Sequence, residues 1–173
     1  MKDTLKDALK VKFDIAQPWI GLAARLVLGG VLLVAGYLKV GTPSKSQMAV
    51  RAYEMLPISV ANFLGLTLPI VEIALGLLLI LGALTRLSAI FGGLIMFAFI
   101  IAISQAWARG LTIDCGCFGG GGTVAKEDTR YLPEILRDLG LVILALYLIR
   151  YPVTKFSLDK TPRPVEMEKS DVE

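Results

Sequence analysis

An all-α polytopic membrane protein, a bundle of four transmembrane helices, is the fold this sequence predicts. Hydrophobic residues make up 55% of the 173-residue chain and charged residues only 19%, whereas a soluble domain carries about 25% charged residues. The apolar residues are also gathered into four long runs. Each approaches the ~20 residues needed to cross a hydrocarbon core about 30 Å thick. The length suits one domain, and no tandem repeat is evident.

Residues 1–17 alternate charges with Leu5, Leu9 and Phe13, which reads either as a short helix lying on the membrane surface or as a disordered tail. The first span is expected over 18–40, with Trp19 at its start and Tyr37 and Lys39 at its end as interfacial anchors. Its apolar run is too long for a cleaved signal peptide, and Lys39 stands where a small-residue cleavage site would be, so the helix is read as retained. The second and third spans are expected over 62–84 and 87–107. With only Thr85-Arg86 between them they must form a tight antiparallel hairpin. The fourth, over 131–150, is interrupted by Arg137 and Asp138. Pro133 followed by Glu134 fits the first turn of a helix, which puts Arg137 near the interface, free to reach outward. Residues 151–173 are polar in their later part and are expected to be a cytoplasmic, disordered tail.

Four spans put both termini on one side. Termini and the short turn carry ten Lys/Arg residues, against six in the other two loops. By the positive-inside bias the termini are cytoplasmic and the loop before the fourth span is extracytoplasmic. The net charge of +3 is modest and no basic cluster is dense enough for nucleic acid, so the expected surroundings are the lipid bilayer. The chain has no histidine, which excludes His-based acid–base catalysis, His-ligated haem and His-ligated zinc.

The only two cysteines lie one residue apart, in Asp114-Cys115-Gly116-Cys117-Phe118-Gly119. A disulfide between residues i and i+2 requires a tight bend, and Gly116 supplies the backbone freedom for it. The small ring would be strained, and strained disulfides exchange readily. Asp114 beside Cys115 disfavours its thiolate and leans toward Cys117 as the attacking sulfur, whereas Lys126 or Arg130 would favour the Cys115 thiolate if the loop folds back, so the sequence leaves the attacking thiol unassigned. Five glycines between Gly116 and Gly122 are expected to leave the sulfurs uncrowded for a docking protein. Three plainer readings stand beside exchange: inert thiols at a helix end, a static clip shaping the loop, and two thiolates holding Cu(I) or half of another metal site. No Met or His cluster completes a ligand set, so no metal site is assigned.

Glu72 falls near the middle of the second span, where a lone carboxylate costs ~2.5 kcal/mol or more. It is expected to pair with Arg25 or Arg137, either as an ion pair fixing helix register or as a proton carrier or quinone-head contact. Pro69, one turn earlier, is expected to kink the helix and free a backbone carbonyl. Gly21, Gly29, Gly30, Gly36, Gly76, Gly92 and Gly93 fit close helix–helix contact.

Several stretches resemble one family in order along the chain. These are Arg25-Leu26-Val27-Leu28-Gly29 with Ala35-Gly36-Tyr37-Leu38-Lys39, Tyr53-Glu54-Met55-Leu56-Pro57, Leu68-Pro69-Ile70-Val71-Glu72, the Asp114-to-Gly119 signature, and the Arg-led helix from Arg130 to Leu146. Over roughly residues 19–150 the chain resembles the methylamine-utilisation MauE group of the DoxX-like membrane proteins. It departs at Asp138, where an uncharged polar residue would follow Arg137. The resemblance implies a four-helix integral membrane protein associated with redox maturation of exported proteins, including disulfide handling for methylamine dehydrogenase, with thioredoxin-like partners.

The resulting expectation is a thiol–disulfide oxidoreductase component. Cys115 and Cys117 would exchange with an extracytoplasmic thioredoxin-like protein, supported by Asp114, Gly116, Phe118 and Gly119. A quinone near Glu72 and Arg25 or Arg137 is the acceptor if electrons cross the membrane. The absence of further cysteines counts against independent catalysis. The alternatives are a non-enzymatic accessory subunit of a larger membrane complex, with the pair as a static clip, and a metal-delivery protein.

Overall fold

The computed structural model describes residues 2–159, with side chains from Ala16 onward apart from Asp128. Five α-helices follow in order: α1 (Lys2–Val40), α2 (Pro43–Ala52), α3 (Ile58–Leu81), α4 (Thr85–Ala108) and α5 (Tyr131–Arg150). Between α4 and α5 lies a loop with a two-stranded antiparallel ribbon, β1 (Ile113–Asp114) and β2 (Gly122–Thr123), and a 3-10 turn at Lys126–Asp128. The N-terminal segment runs on without a break as the first turns of α1.

Three helical stretches are long and apolar enough to cross a membrane: Ala16–Val40, Ile58–Leu81 and Thr85–Ala108. The protein is therefore an all-α, multi-pass membrane protein. α5 falls outside that set because Glu134, Arg137 and Asp138 crowd its first half, yet it packs along α4 and α1 in the same bundle. Large apolar side chains such as Phe63, Ile70, Leu94 and Leu146 point outward, while Arg25, Lys39, Glu72 and Asp138 are buried.

α1 packs chiefly against α3, and α4 against α5. The first of these contacts is made by small residues. A Cβ on Gly36 would stand 2.6 Å from the Pro69 carbonyl oxygen, and one on Gly76 would stand 2.8 Å from that of Gly29, so the two backbones touch. Gly30 is the exception among the expected packing glycines, with nothing near its missing side chain. Pro69 lies inside an unbroken α3. Having no N–H, it leaves the Gly65 carbonyl without its helical donor, and Ser46 of α2 donates to that oxygen at 2.6 Å.

α2 falls where the sequence reading expected only loop. Its start carries a usual signal, Pro43 in the first turn, but ten residues are too few for a span. The hairpin turn also differs. It is Gly82-Ala83-Leu84, with Thr85 and Arg86 already helical. Gly82 ends α3 in the left-handed region at φ 70°, and its N–H donates to the carbonyls of the last turn.

The stretch 151–159, expected as the start of a disordered tail, folds back across this end of the bundle. Lys155 N–H donates to the Pro18 carbonyl, and Asp159 accepts from the N–H groups of Leu84 and Thr85 at 2.7 and 2.8 Å. Asp159 thus caps α4 from a distance of more than seventy residues along the chain. The tail beyond residue 159 lies outside the described residues. The part of α1 around Pro18, the 151–159 segment and the α3–α4 turn share one end of the bundle; α2, the cysteine loop and the start of α5 form the other.

Candidate functional site: a roofed cysteine pair above a buried charge chain

The cysteine loop is pinned from three sides. Ile113 N–H donates to the Tyr131 hydroxyl at 3.1 Å, and that hydroxyl donates to the Leu111 carbonyl, which ties the ribbon to the start of α5. Tyr53, at the end of α2, donates its hydroxyl to the Cys115 carbonyl at 2.9 Å. Asp114 turns its carboxylate into its own loop, where Oδ1 accepts the Gly116 N–H at 2.8 Å, an Asx turn. That turn brings Cys117 N–H within 3.2 Å of Cys115 Sγ. Both cysteines are free thiols.

The expectation of uncrowded sulfurs is corrected here. Cys115 is 6% exposed and Cys117 4%. The glycines let the loop press closely onto the helices rather than opening it. Gly116, at φ 68°, lies against the Ala49 methyl of α2, and Gly119, at φ 82°, lies against Leu38 of α1. Both positions need the left-handed backbone that glycine adopts without strain.

Beneath the loop, the first two turns of α5 present charges to the sulfurs. Glu134 interacts side chain to side chain with Cys115, and Arg137 does so with Cys117. Arg137 also lies 5.0 Å over the Phe118 ring and donates to Asp138 Oδ1 at 2.8 Å. One carboxylate oxygen of Glu134 and one of Asp138 are buried without a hydrogen-bond partner.

Glu72 pairs with neither Arg25 nor Arg137. Its partner is Lys39, whose Nζ donates to both carboxylate oxygens at 2.7 and 2.9 Å. Lys39 is therefore no interfacial anchor; it is 4% exposed, beside the Phe99 ring at 5.2 Å. The reason is geometric: α1 and α3 run antiparallel along their small-residue seam, so Lys39 and Glu72, each one turn C-terminal to the Gly36–Pro69 contact, lie on either side of it and their side chains meet across it. Arg25 lies a further fourteen residues down α1. There it donates to Thr154 Oγ1 at 2.8 Å and to the Phe156 carbonyl at 3.1 Å, holding the 151–159 segment. Lys39 also acts electrostatically on Asp138. Two ion pairs, Lys39–Glu72 and Arg137–Asp138, thus lie within electrostatic reach of one another on the side of the bundle that faces Cys117.

Of the predicted site residues, the structure brings together Asp114, Cys115, Gly116, Cys117, Phe118, Gly119 and Arg137. It leaves Glu72 one ion pair away and Arg25 at the opposite end. Lys39, Tyr53, Tyr131, Glu134 and Asp138 join the site without having been assigned to it. Glu134 carried a readable signal, but one that served equally as a helix start. Among the described residues no group of three His, Cys, Asp or Glu is placed to hold a metal ion.

Hydrogen bonding with Cys117 and then burial push the Cys115 thiol well above the usual thiol range, and burial chiefly raises the Tyr53 hydroxyl. Both groups are raised in the docked loop, so docking holds its full strength below about pH 8.5, where a free thiol begins to ionise. Above that pH it weakens by up to about 1.4 kcal/mol per pH unit. Alkylation of the two cysteines should therefore accelerate between pH 8.5 and 10 by more than the titration of a free thiol explains. A rate following free-thiol titration alone would contradict a docked loop.

A family model described as "Methylamine utilisation protein MauE" matches residues 17–151. A curated protein of Paracoccus denitrificans, "Methylamine utilization protein MauE", is 31% identical over 133 residues, which cover 76% of this chain and 69% of that one. No solved structure matches. With the family match spanning all of the apolar helices and the roofed cysteine loop, the chain belongs to the MauE family of membrane proteins.

Proposed function

We propose that this protein relays disulfide oxidation state between the membrane and a thioredoxin-like partner during maturation of an exported protein in methylamine utilisation. The observation that carries this reading is the asymmetric environment of the pair: a carboxyl group against Cys115 and a guanidinium against Cys117. Family membership supports the physiological setting. The Lys/Arg bias supports an extracytoplasmic position for the loop, with α5 as the fourth span.

The residues suggest the following exchange. With the pair oxidised, a partner thiolate attacks Cys117 Sγ, the Cys115–Cys117 bond breaks, and Cys115 leaves, taking a proton from Glu134. The partner's second thiolate then attacks its own bonded sulfur and releases Cys117, whose negative charge Arg137 offsets. Two electrons pass to this pair as the partner's two thiolates become a disulfide. The immediate product is the Cys115 thiol and the Cys117 thiolate, which becomes a dithiol once Cys117 takes up a proton from water, and Glu134 is reprotonated in the same way. Since both sulfurs are buried, the partner must lift the loop from Ala49 to reach them.

A trapping experiment tests the assignment. Cys115→Ser keeps the exchanging sulfur and removes the resolving one, so it should accumulate a covalent mixed disulfide with the partner in intact cells, whereas Cys117→Ser should not. A reduction potential below about −300 mV would mark a resistant, structural bond and sink the relay. That result, with no adduct from either variant, would leave an accessory subunit with a static clip.

A further inference from the structure

We infer that the cleft between α3 and α4 binds a lipid-soluble, two-electron acceptor of the quinone class that reoxidises the Cys115–Cys117 pair. This inference rests on the relay reading and names the acceptor that completes it.

α3 and α4 meet at their tight turn but make far fewer contacts than the α1–α3 or α4–α5 pairs. The space between them, roofed by the end of α2, is a cavity of about 520 Å³. Its walls are apolar throughout except at Tyr53, which disfavours a charged or sugar-like ligand. Leu94, Val71 and Met55 line it and are also exposed on the outer surface of the bundle, so it opens sideways to lipid. Along α4 the lining runs from Phe91 to Ala102, about 16 Å of helix, the shape for a ring followed by a tail.

The inner wall makes this cavity more than a lipid crevice. Tyr53 belongs to the same buried cluster as Cys115 and Cys117, and Phe99 and Ala102 pack against that cluster. These three residues also line the cavity. A head group lying against Tyr53 would be separated from the thiols by a single layer of side chains. Oxidation of the pair forms one S–S bond and releases two electrons and two protons. A quinone accepts that number and becomes a hydroquinone, while a phospholipid acyl chain fills the same space and accepts none.

The test uses the full-length protein, reduced, in phosphatidylcholine vesicles. The oxidants are a fully substituted benzoquinone with a decyl tail and, separately, oxidised glutathione. The expected result is loss of two thiols per chain with one hydroquinone formed. Ala98→Trp, a lipid-facing change that fills the cavity, should slow the quinone reaction at least tenfold and leave the glutathione reaction within twofold. Leu94→Trp at the mouth provides a second variant and should act in the same direction. If glutathione disulfide oxidises the pair but the quinone does not, or if both variants slow the two oxidants equally or neither, the cavity assignment is overturned and the relay stands. If neither oxidant converts the pair, the relay reading falls and the acceptor with it.

Discussion

Lys39→Met will be among the most destabilising single changes in this protein, costing about 3–5 kcal/mol. The substitution keeps most of the apolar stem of the side chain, but it removes the ammonium that lies over Phe99 and leaves the carboxylate of Glu72 fully buried with no counter-charge. Both of its oxygens lose the donor they share. Equilibrium unfolding in detergent micelles measures the loss. The double variant Lys39→Met/Glu72→Leu separates the cost of a broken pair from the worth of the pair itself. Replacing both partners by apolar groups is often neutral or stabilising, so the double should recover most of what the single loses. A single variant within about 1 kcal/mol of the parent protein, or a double less stable than the single, would contradict the ion pair as the register-fixing contact of α1 and α3. Asp138 gives a second readout, because it too interacts with Lys39. A change in thiol reactivity in the double variant would mean that the two ion pairs act together on Cys117.

Gly116→Ala should free the cysteine loop. The residue sits at φ 68°, where an alanine costs about 1–2 kcal/mol. Its new methyl would also overlap that of Ala49, adding about 1–3 kcal/mol of overpacking. The site cannot relax cheaply, because Ala49 is on a helix wedged between the loop and α3. Gly121, just before β2 in the same loop, presses on the same alanine. Docking is thereby weakened by about 2–5 kcal/mol, and both cysteines should react with a maleimide at least tenfold faster in the folded protein. Gly110→Ala is the matched control. It has nearly the same backbone angle, φ 70°, but nothing near its missing side chain, so it carries the strain without the clash and should leave cysteine reactivity nearly unchanged. Equal acceleration by both substitutions would mean that the loop is not seated on Ala49.

The two predictions bear on one functional point. A buried pair that must be uncovered exchanges fastest with a partner able to lift its roof, and the roof slows its reaction with small thiols and disulfides. The roof is held by Tyr53, Tyr131 and the Ala49 contact, so partner specificity is expected to reside in what competes for those residues.

Much of the architecture was legible in the sequence. The apolar runs of α1, α3 and α4 declare themselves, because in lipid a helix needs only length and hydrophobicity. The loop carrying the cysteines was found for the same reason: it is the polar interval between two such runs. Pro69 was rightly read as freeing a carbonyl, although its acceptor role for Ser46 depends on α2, a helix too short to stand out by hydropathy. Glu72 was rightly marked as needing a partner. The choice of Arg25 or Arg137 failed because depth along a span was the only criterion available, and the true partner looked like an interfacial lysine. The capping role of Asp159 was hidden for a similar reason, since nothing near it in sequence suggests α4.

By itself the sequence determined the class of the protein, the order of its long apolar helices, its family and the one loop that holds its redox-capable atoms, because each of these depends on composition or on residues adjacent along the chain. Only the tertiary structure decided which charges meet, that the sulfurs are roofed rather than open, and that Glu134 and Arg137 face different members of the pair. Those outcomes depend on how closely α1 approaches α3 and how tightly a glycine loop settles on α2. Such contacts join residues 33 to more than 60 positions apart, a separation at which local pattern carries no information about who touches whom.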